Sequence, residues 1–135
     1  ASVDPKPVNG TVPIVIGAAG PRMLRLTGAV ADGWIKNMGW PESPEQYTGL
    51  LTQMEEGAEK AGRDPAVIRR VLNGAGYIGN DSRTGGLQGT AEQILQTVDE
   101  YVEFGVNYFQ LAFVSEGVEE QLQQFGEEVI ARVNR

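Results

Sequence analysis

Short apolar runs alternate along the chain with longer stretches in which apolar residues recur every three or four positions. The first run, PIVIG at residues 13–17, is continuously apolar, as expected of a parallel strand covered on both faces. The stretch at residues 22–31 then shows helical spacing. This order occurs four times, with strands expected at residues 13–17, 31–35, 68–78 and 106–113, and helices at residues 22–31, 43–62, 90–105 and 117–134.

Capping residues mark where the helices begin. Ser43 precedes Pro44, and Gln46 stands three positions after Ser43, which predicts a capping box with proline in the first helical position. Thr90 begins a similar pattern. Gly28 lies inside the first predicted helix, where glycine costs about 1 kcal/mol relative to alanine, so close packing is expected there.

Two segments carry no helix or strand pattern. Residues 1–12 form a lead-in rich in proline, glycine and asparagine, of the kind found in loops, which is typical of an expression scar, a processing site or a fragment boundary. Residues 79–89 are polar and glycine-rich and are expected to be a loop. The remaining pattern predicts a single domain over residues 13–135.

Alternation of strands and helices implies a parallel sheet joined by right-handed crossovers. Two folds are built in this way. One is an open, doubly wound sheet, and the other is a (β/α)8 barrel, of which four βα units would make half. The pattern alone leaves both open.

Composition narrows the function. The chain is 41% hydrophobic and 21% charged, enough for a packed core, and its net charge of -7 disfavours nucleic acid as a partner. It has no cysteine and no histidine, so we expect a reducing cytoplasm and no metal site of thiolate or imidazole ligands. No apolar run is long enough to cross a bilayer, and no membrane partner is expected.

The candidate chemistry lies where the first strand ends, at Gly17, Ala18, Ala19 and Gly20. Ligands bind at the carboxyl ends of parallel strands, small side chains allow the backbone close to a ligand, and the amides of the next helix can hold an anion. The corner lacks the motifs of dinucleotide folds and P-loops. A tight turn without a ligand is therefore the alternative.

Aromatic and basic residues near the strands have two interpretations. Trp34 and Trp40 flank the end of the second predicted strand, where they could stack on a ring or pack in the core. Arg69 and Arg70 are neighbours on a strand, so they should point to opposite faces and form no single anion site.

The segment PIVIGAAGPRMLRLTGAVADGWI resembles the luciferase-like flavin- and deazaflavin-dependent oxidoreductases. It is most similar to the branch that uses coenzyme F420, such as methylenetetrahydromethanopterin reductases. KAGRDPAVIRR and GTAEQILQTVDEYVEFGVNYFQL resemble later parts of the same family. The resemblance implies that residues 13–135 are the carboxyl-terminal half of a (β/α)8 barrel roughly twice this length.

The same resemblance implies which residues lie near the coenzyme. FMN-using members often carry a hydroxyl residue in the corner where this chain has two alanines, so F420 is favoured and FMN is the alternative. Backbone atoms of the corner would approach the coenzyme phosphate, and the loop after the second strand would lie beside it. The implied cofactor-binding residues are Gly17, Ala18, Ala19, Gly20, Asn37, Met38 and Gly39.

The implied reaction is hydride transfer between the deazaflavin and a small organic substrate. The family's ring contacts and most acid/base residues belong to the other half of the barrel, so no catalytic residue is assigned and the isolated chain is expected to be inactive. Its open strand edges predict self-association or pairing with the missing amino-terminal half. An FMN-dependent monooxygenase and a non-catalytic half-barrel binding module remain the alternatives.

Overall fold

Five parallel strands form one sheet in the computed structural model, which describes residues 5–36, 39–81 and 83–133. The strands are β1 (Val15–Ala18), β2 (Gly33–Lys36), β3 (Arg69–Ile78), β4 (Gly86–Gly89) and β5 (Tyr108–Ala112). The helices are α1 (Pro21–Val30), α2 (Pro44–Lys60), α3 (Ala91–Glu103), α4 (Val118–Phe125) and α5 (Ala131–Val133), with a 3-10 turn at Pro65–Val67 and a π-helical turn at Gly126–Ile130.

Three crossovers place the strands β1, β2, β3 and β5 side by side in chain order. Val71 of β3 pairs with Ile35 on one side and with Tyr108 on the other. A doubly wound sheet reverses its strand order at a switch point, whereas a barrel adds each strand beside the previous one. The order therefore selects the barrel type of sheet from the two folds that the pattern left open.

Strand β4 corrects the prediction of a loop over residues 79–89. It pairs with β3 beyond the point where β2 ends, and Ala75 lies between Gly86 of β4 and Ala112 of β5. A Cβ atom on Gly86 would collide with the backbone of Ala75, so glycine is required for this pairing. The prediction was wrong because glycine is normally a sign of a turn, and here it allows close strand contact.

The helices cover one face of the sheet. Trp34 and Leu72 point from the strands into a core shared with α1 and α2, and Ile94 of α3 joins a second cluster with residues of α4. Helices α1 and α2 approach closely because Gly28 faces the backbone of Met54, where a Cβ atom would collide. The close packing expected at Gly28 is thus present.

The opposite face of the sheet is exposed at its edge strands, whereas Val71 at its centre is only 4% exposed. Alternation along the paired strands assigns to this inner face the side chains that do not point toward the helices. Val15 and Tyr108 are 42% and 47% exposed there. The inner face comprises Val15, Gly17, Ile35, Arg69, Val71, Asn73, Ala75, Tyr108, Gln110 and Ala112.

The last helical segment was predicted as one helix over residues 117–134, and it is interrupted by the π-helical turn. Phe125 precedes that turn and Val129 lies within it, and both are buried. Gln121 of α4 reaches the end of β3, where its side chain accepts from the amide of Ile78 and donates to the carbonyl of Ile78, both at 2.8 Å. Within the described ranges, no helix has the length and apolarity needed to cross a membrane.

Candidate functional site

The glycine corner lies at the carboxyl end of β1 and is open to approach. β1 ends at Ala18, and Gly20 is the N-cap of α1. Gly17 and Gly20 are exposed, and Ala19 is half-buried. A Cβ atom added to Gly20 would meet no other atom within 4 Å. A ligand atom could therefore occupy the space beside the backbone at this position.

The first turn of α1 offers unpaired donors at this corner. The amide of Leu24 makes the first helical hydrogen bond, 2.9 Å to the carbonyl of Gly20. The amides of Arg22 and Met23 precede it and have no acceptor within the helix. No side chain caps this end, and the first turn contains no acidic residue. Free amides and the positive end of the helix dipole together make a place where an anion is stabilised.

Ala18 is held differently from the rest of the corner. Its side chain is 2% exposed within the helix-facing core, and its carbonyl oxygen accepts a 2.9 Å hydrogen bond from Nε1 of Trp34. The ring of Trp34 is stacked on Tyr47, with 5.4 Å between ring centroids. Trp34 is therefore a core residue that fixes the corner from behind, and it is not a platform for a ligand ring.

The second tryptophan also packs inside the protein. Trp40 lies 5.1 Å from Tyr101 in an edge-to-face contact and 6.3 Å from Phe109 in a stacked one. Core packing, the second interpretation of these aromatic residues, thus holds for Trp40 as well as for Trp34.

The loop after β2 contains the other expected coenzyme contacts. Asn37 and Met38 lie outside the described residues. Gly39 has a φ of 80°, a conformation that favours glycine, and a Cβ atom there would meet nothing within 4 Å. The backbone of Gly39 is thus accessible on the side where a side chain would project.

Arg69 and Arg70 separate as the alternation predicts. Arg70 points toward the helices, where it pairs with Glu55 at 3.0 Å and donates to the carbonyl of Pro65 at 3.1 Å. Arg69 lies over the ring of Tyr108 on the inner face, 5.1 Å from the centroid. The two guanidinium groups form no common site.

Two amide residues on the inner face were missed from the sequence. Asn73 of β3 and Gln110 of β5 are paired across neighbouring strands, each in the middle of its strand, and both belong to the inner face. The sequence offers one indication of their position. Each follows a helix-facing residue, Leu72 or Phe109, so strand alternation places each on the inner face. That alternation becomes informative once the register of β3 against β5 is known.

A family model described as luciferase-like monooxygenase matches residues 1–84, more than half of the 135 residues. The chain belongs to the luciferase-like monooxygenase family. The resemblance described from the sequence is thereby confirmed, and the glycine corner lies within the matched residues.

Curated relatives match parts of the chain. The 5,10-methylenetetrahydromethanopterin reductase of Methanolobus tindarius is 46% identical over 59 residues, which are 44% of this chain and 17% of that protein. The F420-dependent glucose-6-phosphate dehydrogenase of Nakamurella multipartita is 51% identical over 53 residues, 38% of this chain and 15% of that protein. The phthiodiolone/phenolphthiodiolone dimycocerosates ketoreductase of Mycobacterium tuberculosis is 39% identical over 80 residues, 55% of this chain and 20% of that protein.

Solved structures share the fold. The coenzyme F420-dependent tetrahydromethanopterin reductase of Methanopyrus kandleri has a TM-score of 0.76 at 17% identity, covering 90% of this chain and 51% of that one. An F420-dependent secondary alcohol dehydrogenase, in complex with an F420-acetone adduct, has a TM-score of 0.71 at 18% identity, with 90% and 49% covered. A riboflavin lyase with modified FMN has a TM-score of 0.75 at 12% identity, with 99% and 44% covered.

The chain spans about half the length of the first two solved relatives and matches less than a fifth of the first two curated ones. Together with the parallel strands in chain order, this likeness confirms the predicted fold, four βα units that form half of a (β/α)8 barrel. β4 is an addition to that plan.

Proposed function

We propose that this protein is an F420-dependent oxidoreductase acting on a small organic substrate, and that its glycine corner holds the phosphate end of the coenzyme. The observation that carries the proposal is the uncapped first turn of α1, open beside Gly20 and free of acidic residues. Relatives whose names include F420 support the choice of coenzyme.

Each part of the corner has a task in this proposal. The amides of Arg22 and Met23 donate to phosphate oxygens, and Gly17 and Gly20 allow those oxygens to come close to the backbone. Trp34 keeps the end of β1 in place through its bond to Ala18. Ala19, Gly39 and the two residues before Gly39 are proposed to lie beside the coenzyme. When bound, the deazaflavin supplies hydride transfer at its C5 carbon.

FMN is the second candidate coenzyme. The riboflavin lyase with modified FMN shares the fold with a TM-score of 0.75, so the scaffold does not itself distinguish the two coenzymes. Ala18 and Ala19 offer no hydroxyl group to a phosphate, which favours F420. The reaction would change with the coenzyme: with FMN, the alternative is a monooxygenase, the activity that the family description names.

Coenzyme titration of the native gene product tests the choice directly. F420 and FMN are each added while fluorescence quenching is followed, and the two dissociation constants are compared. Tight binding of F420 and weak binding of FMN are expected. Binding of FMN alone would overturn the proposed coenzyme, and binding of neither would overturn the proposed function.

A pair of variants at one position tests the phosphate site. Gly20 has extended backbone angles, φ of -81° and ψ of 151°, so other residues fit there without strain. Asp and Ser are both good N-caps and should preserve α1. Gly20→Asp places a negative charge at the site and should weaken F420 binding about tenfold or more, about 1.4 kcal/mol. Gly20→Ser, the matched control, can cap the same amides without adding a charge, so it should bind F420 more tightly than Gly20→Asp, and equal affinities for the two variants would refute the site.

We also propose that another set of βα units covers the inner face, with residues 13–135 as the carboxyl-terminal half of the barrel and residues 1–12 as its lead-in. β1 and β5 each pair with one described strand, so their other edges carry unpaired backbone groups. The exposed Val15 and Tyr108 would be buried in a closed barrel.

The isolated chain of 135 residues provides the test of this arrangement. It should self-associate in light scattering, and it should show no turnover because half of the barrel wall is missing. A monomer that unfolds cooperatively and reversibly would contradict the proposed pairing.

A further inference from the structure

The loop that joins β3 to β4 carries a stacked arginine at the carboxyl end of the sheet. The guanidinium of Arg83 lies over the ring of Tyr77, 3.5 Å from the ring centroid. Asp81 contacts both residues: its carboxylate lies 3.5 Å from Nη2 of Arg83 and accepts a 3.2 Å hydrogen bond from the hydroxyl of Tyr77. These three side chains form a cluster to which the proposed function gives no role.

Tyr77 places this cluster on the inner face. Its neighbours in β3 face the helices, because Ile78 is buried in the helix-facing core and a Cβ atom on Gly76 would collide with Phe113, which packs on that core. Side chains alternate along a strand, so Tyr77 points to the interior of the barrel. Ligands of parallel barrels bind at the carboxyl ends of the strands, and Arg83 is therefore in position to meet one.

The stack fixes the guanidinium and leaves most of its donors available. Stacking uses the flat face of an arginine, whereas its N–H groups point outward from the edge. The contact with Asp81 is long for a hydrogen bond, and the side chains of Arg83 and Asp81 are 41% and 68% exposed, so this ion pair contributes little. The loop is braced beside it, since the side chain of Gln88 donates to the carbonyl of Thr84 at 2.7 Å. An oxyanion could therefore bind to the edge of Arg83.

The cluster lies well away from the glycine corner. Gly17 is in register with Ile35, and Ile35 with Val71. Tyr77 lies farther along β3 than Val71 by about 20 Å, and β3 is two strand spacings from β1. One phosphate group is too small to touch both places. An oxyanion at Arg83 is thus a different group from the phosphate proposed for the corner.

We propose that Arg83, held on Tyr77, binds a carboxylate or phosphate group of the substrate, an inference that rests on the proposed function. The planar fork of a guanidinium matches two oxygens of either group. The substrate is then a small organic anion, and Arg83 selects it by charge. Asp81 moderates the attraction, because its carboxylate repels an incoming anion while its bond to Tyr77 keeps the ring beneath the guanidinium.

Changes of opposite sign in the native gene product test the assignment. Inorganic phosphate and succinate are the probes, and their dissociation constants are measured by calorimetric titration at constant ionic strength, with and without saturating F420 to occupy the corner. Arg83→Gln should weaken binding of the preferred probe about tenfold. Asp81→Asn keeps an acceptor for Tyr77 and should strengthen binding about twofold to threefold, because a repulsive charge is removed.

Arg132→Gln is the matched control. It removes the same charge from an exposed arginine that pairs with Glu92 in the helix layer, and it should leave probe binding unchanged. Arg83 and Asp81 are exposed, so their variants should keep the fold. The probe that responds more to Arg83→Gln identifies the group as a carboxylate or a phosphate.

The outcomes separate this inference from the proposed function. Opposite effects of Arg83→Gln and Asp81→Asn on probe binding, with an unchanged dissociation constant for F420, support both. Probe binding that is absent, or that does not depend on Arg83, in a protein that binds F420 overturns the substrate assignment alone. Weaker F420 binding by Arg83→Gln would assign Arg83 to the coenzyme and overturn it as well. Arg83-dependent probe binding in a protein that binds no F420 supports the anion site and overturns the proposed function, and binding of neither probe nor coenzyme overturns both.

Discussion

The indole Nε1 of Trp34 donates a 2.9 Å hydrogen bond to the carbonyl oxygen of Ala18. The two residues lie on neighbouring strands, β2 and β1, and both are buried on the helix-facing side. The bond connects a core side chain to the backbone of the glycine corner. The position of the proposed phosphate site is thus set partly by a tryptophan that no ligand would touch.

Trp34→Phe should remove this hydrogen bond while keeping an aromatic ring in the core. The phenyl ring keeps an aromatic contact with Tyr47, whereas the buried carbonyl of Ala18 loses its donor. We expect a loss of about 1–3 kcal/mol of unfolding free energy from the unpaired carbonyl, with a further loss from the smaller ring. Thermal unfolding measures the combined loss, and F420 titration should show weaker binding. An unchanged melting temperature would mean that the bond does not hold the corner.

Gly28→Ala should destabilise the protein although alanine is the better helix former. The added Cβ atom would collide with the backbone of Met54, so α1 and α2 must move apart. We expect a cost of about 1–3 kcal/mol or more in chemical denaturation. Gly49→Ala, on α2 with nothing within 4 Å of the new atom, is the control and should stabilise by about 0.5–1 kcal/mol. The same sign for both substitutions would refute the close contact.

Tyr47→Phe should raise stability. The hydroxyl of Tyr47 is buried and has no hydrogen-bond partner among the described residues, and burial raises the pKa of this phenol above its usual value. Removing the hydroxyl relieves a desolvation cost, so we expect a gain of up to about 1 kcal/mol and a higher melting temperature. Tyr108→Phe is the control, since Tyr108 is 47% exposed and should change stability little. A lower melting temperature for Tyr47→Phe would show that the hydroxyl is bonded.

The ion pair between Glu92 and Arg132 predicts a pH effect. The guanidinium contacts both carboxylate oxygens, at 2.8 and 3.2 Å, and this hydrogen bonding, with the charge of Arg132, lowers the pKa of Glu92. A lowered pKa in the folded state means that the pair stabilises the fold at neutral pH. That contribution is lost as the pH falls through the pKa of the folded state.

An NMR titration of the Glu92 carboxyl carbon provides the measurement. Arg132→Gln should return the pKa of Glu92 toward its ordinary value, while global stability changes little because both side chains are largely exposed. Arg25→Gln, which removes the distant pair of Arg25 with Glu56, should leave the Glu92 titration as it was. A Glu92 pKa that stays the same after Arg132 is replaced would show that the pair does not form in solution.

Local signals in the sequence were enough to predict most of the elements. Ser43 and Thr90 cap α2 and α3, and Thr90 completes a capping box with Gln93. The box predicted at Ser43 is only half formed, because the Gln46 side chain accepts from the amide of Glu42 instead of that of Ser43. These signals act within a few residues. β4 and the π-helical turn depend on tertiary contacts instead, because β4 exists through its pairing with β3, and the turn accompanies burial of Phe125 and Val129. No local pattern carries that information.

Some residues of the candidate site could likewise be predicted from the sequence, and others could not. The corner could be predicted because its small residues and its helix start are contiguous. Asn73 and Gln110 are 37 positions apart in the chain, and the register of two strands brings them together. That they share a face therefore follows from the strand register and not from the sequence alone.

β4 takes up the edge of β3 that β2 leaves free after Val71, and the amide of Gly79 closes the arrangement with a 2.8 Å bond to the carbonyl of Gly89. This short extra strand thus occupies the gap beside β3 that begins where β2 ends. On this side of β3 the sheet therefore stays continuous beyond the end of β2, so β3 is flanked by a strand on both edges up to Ala75.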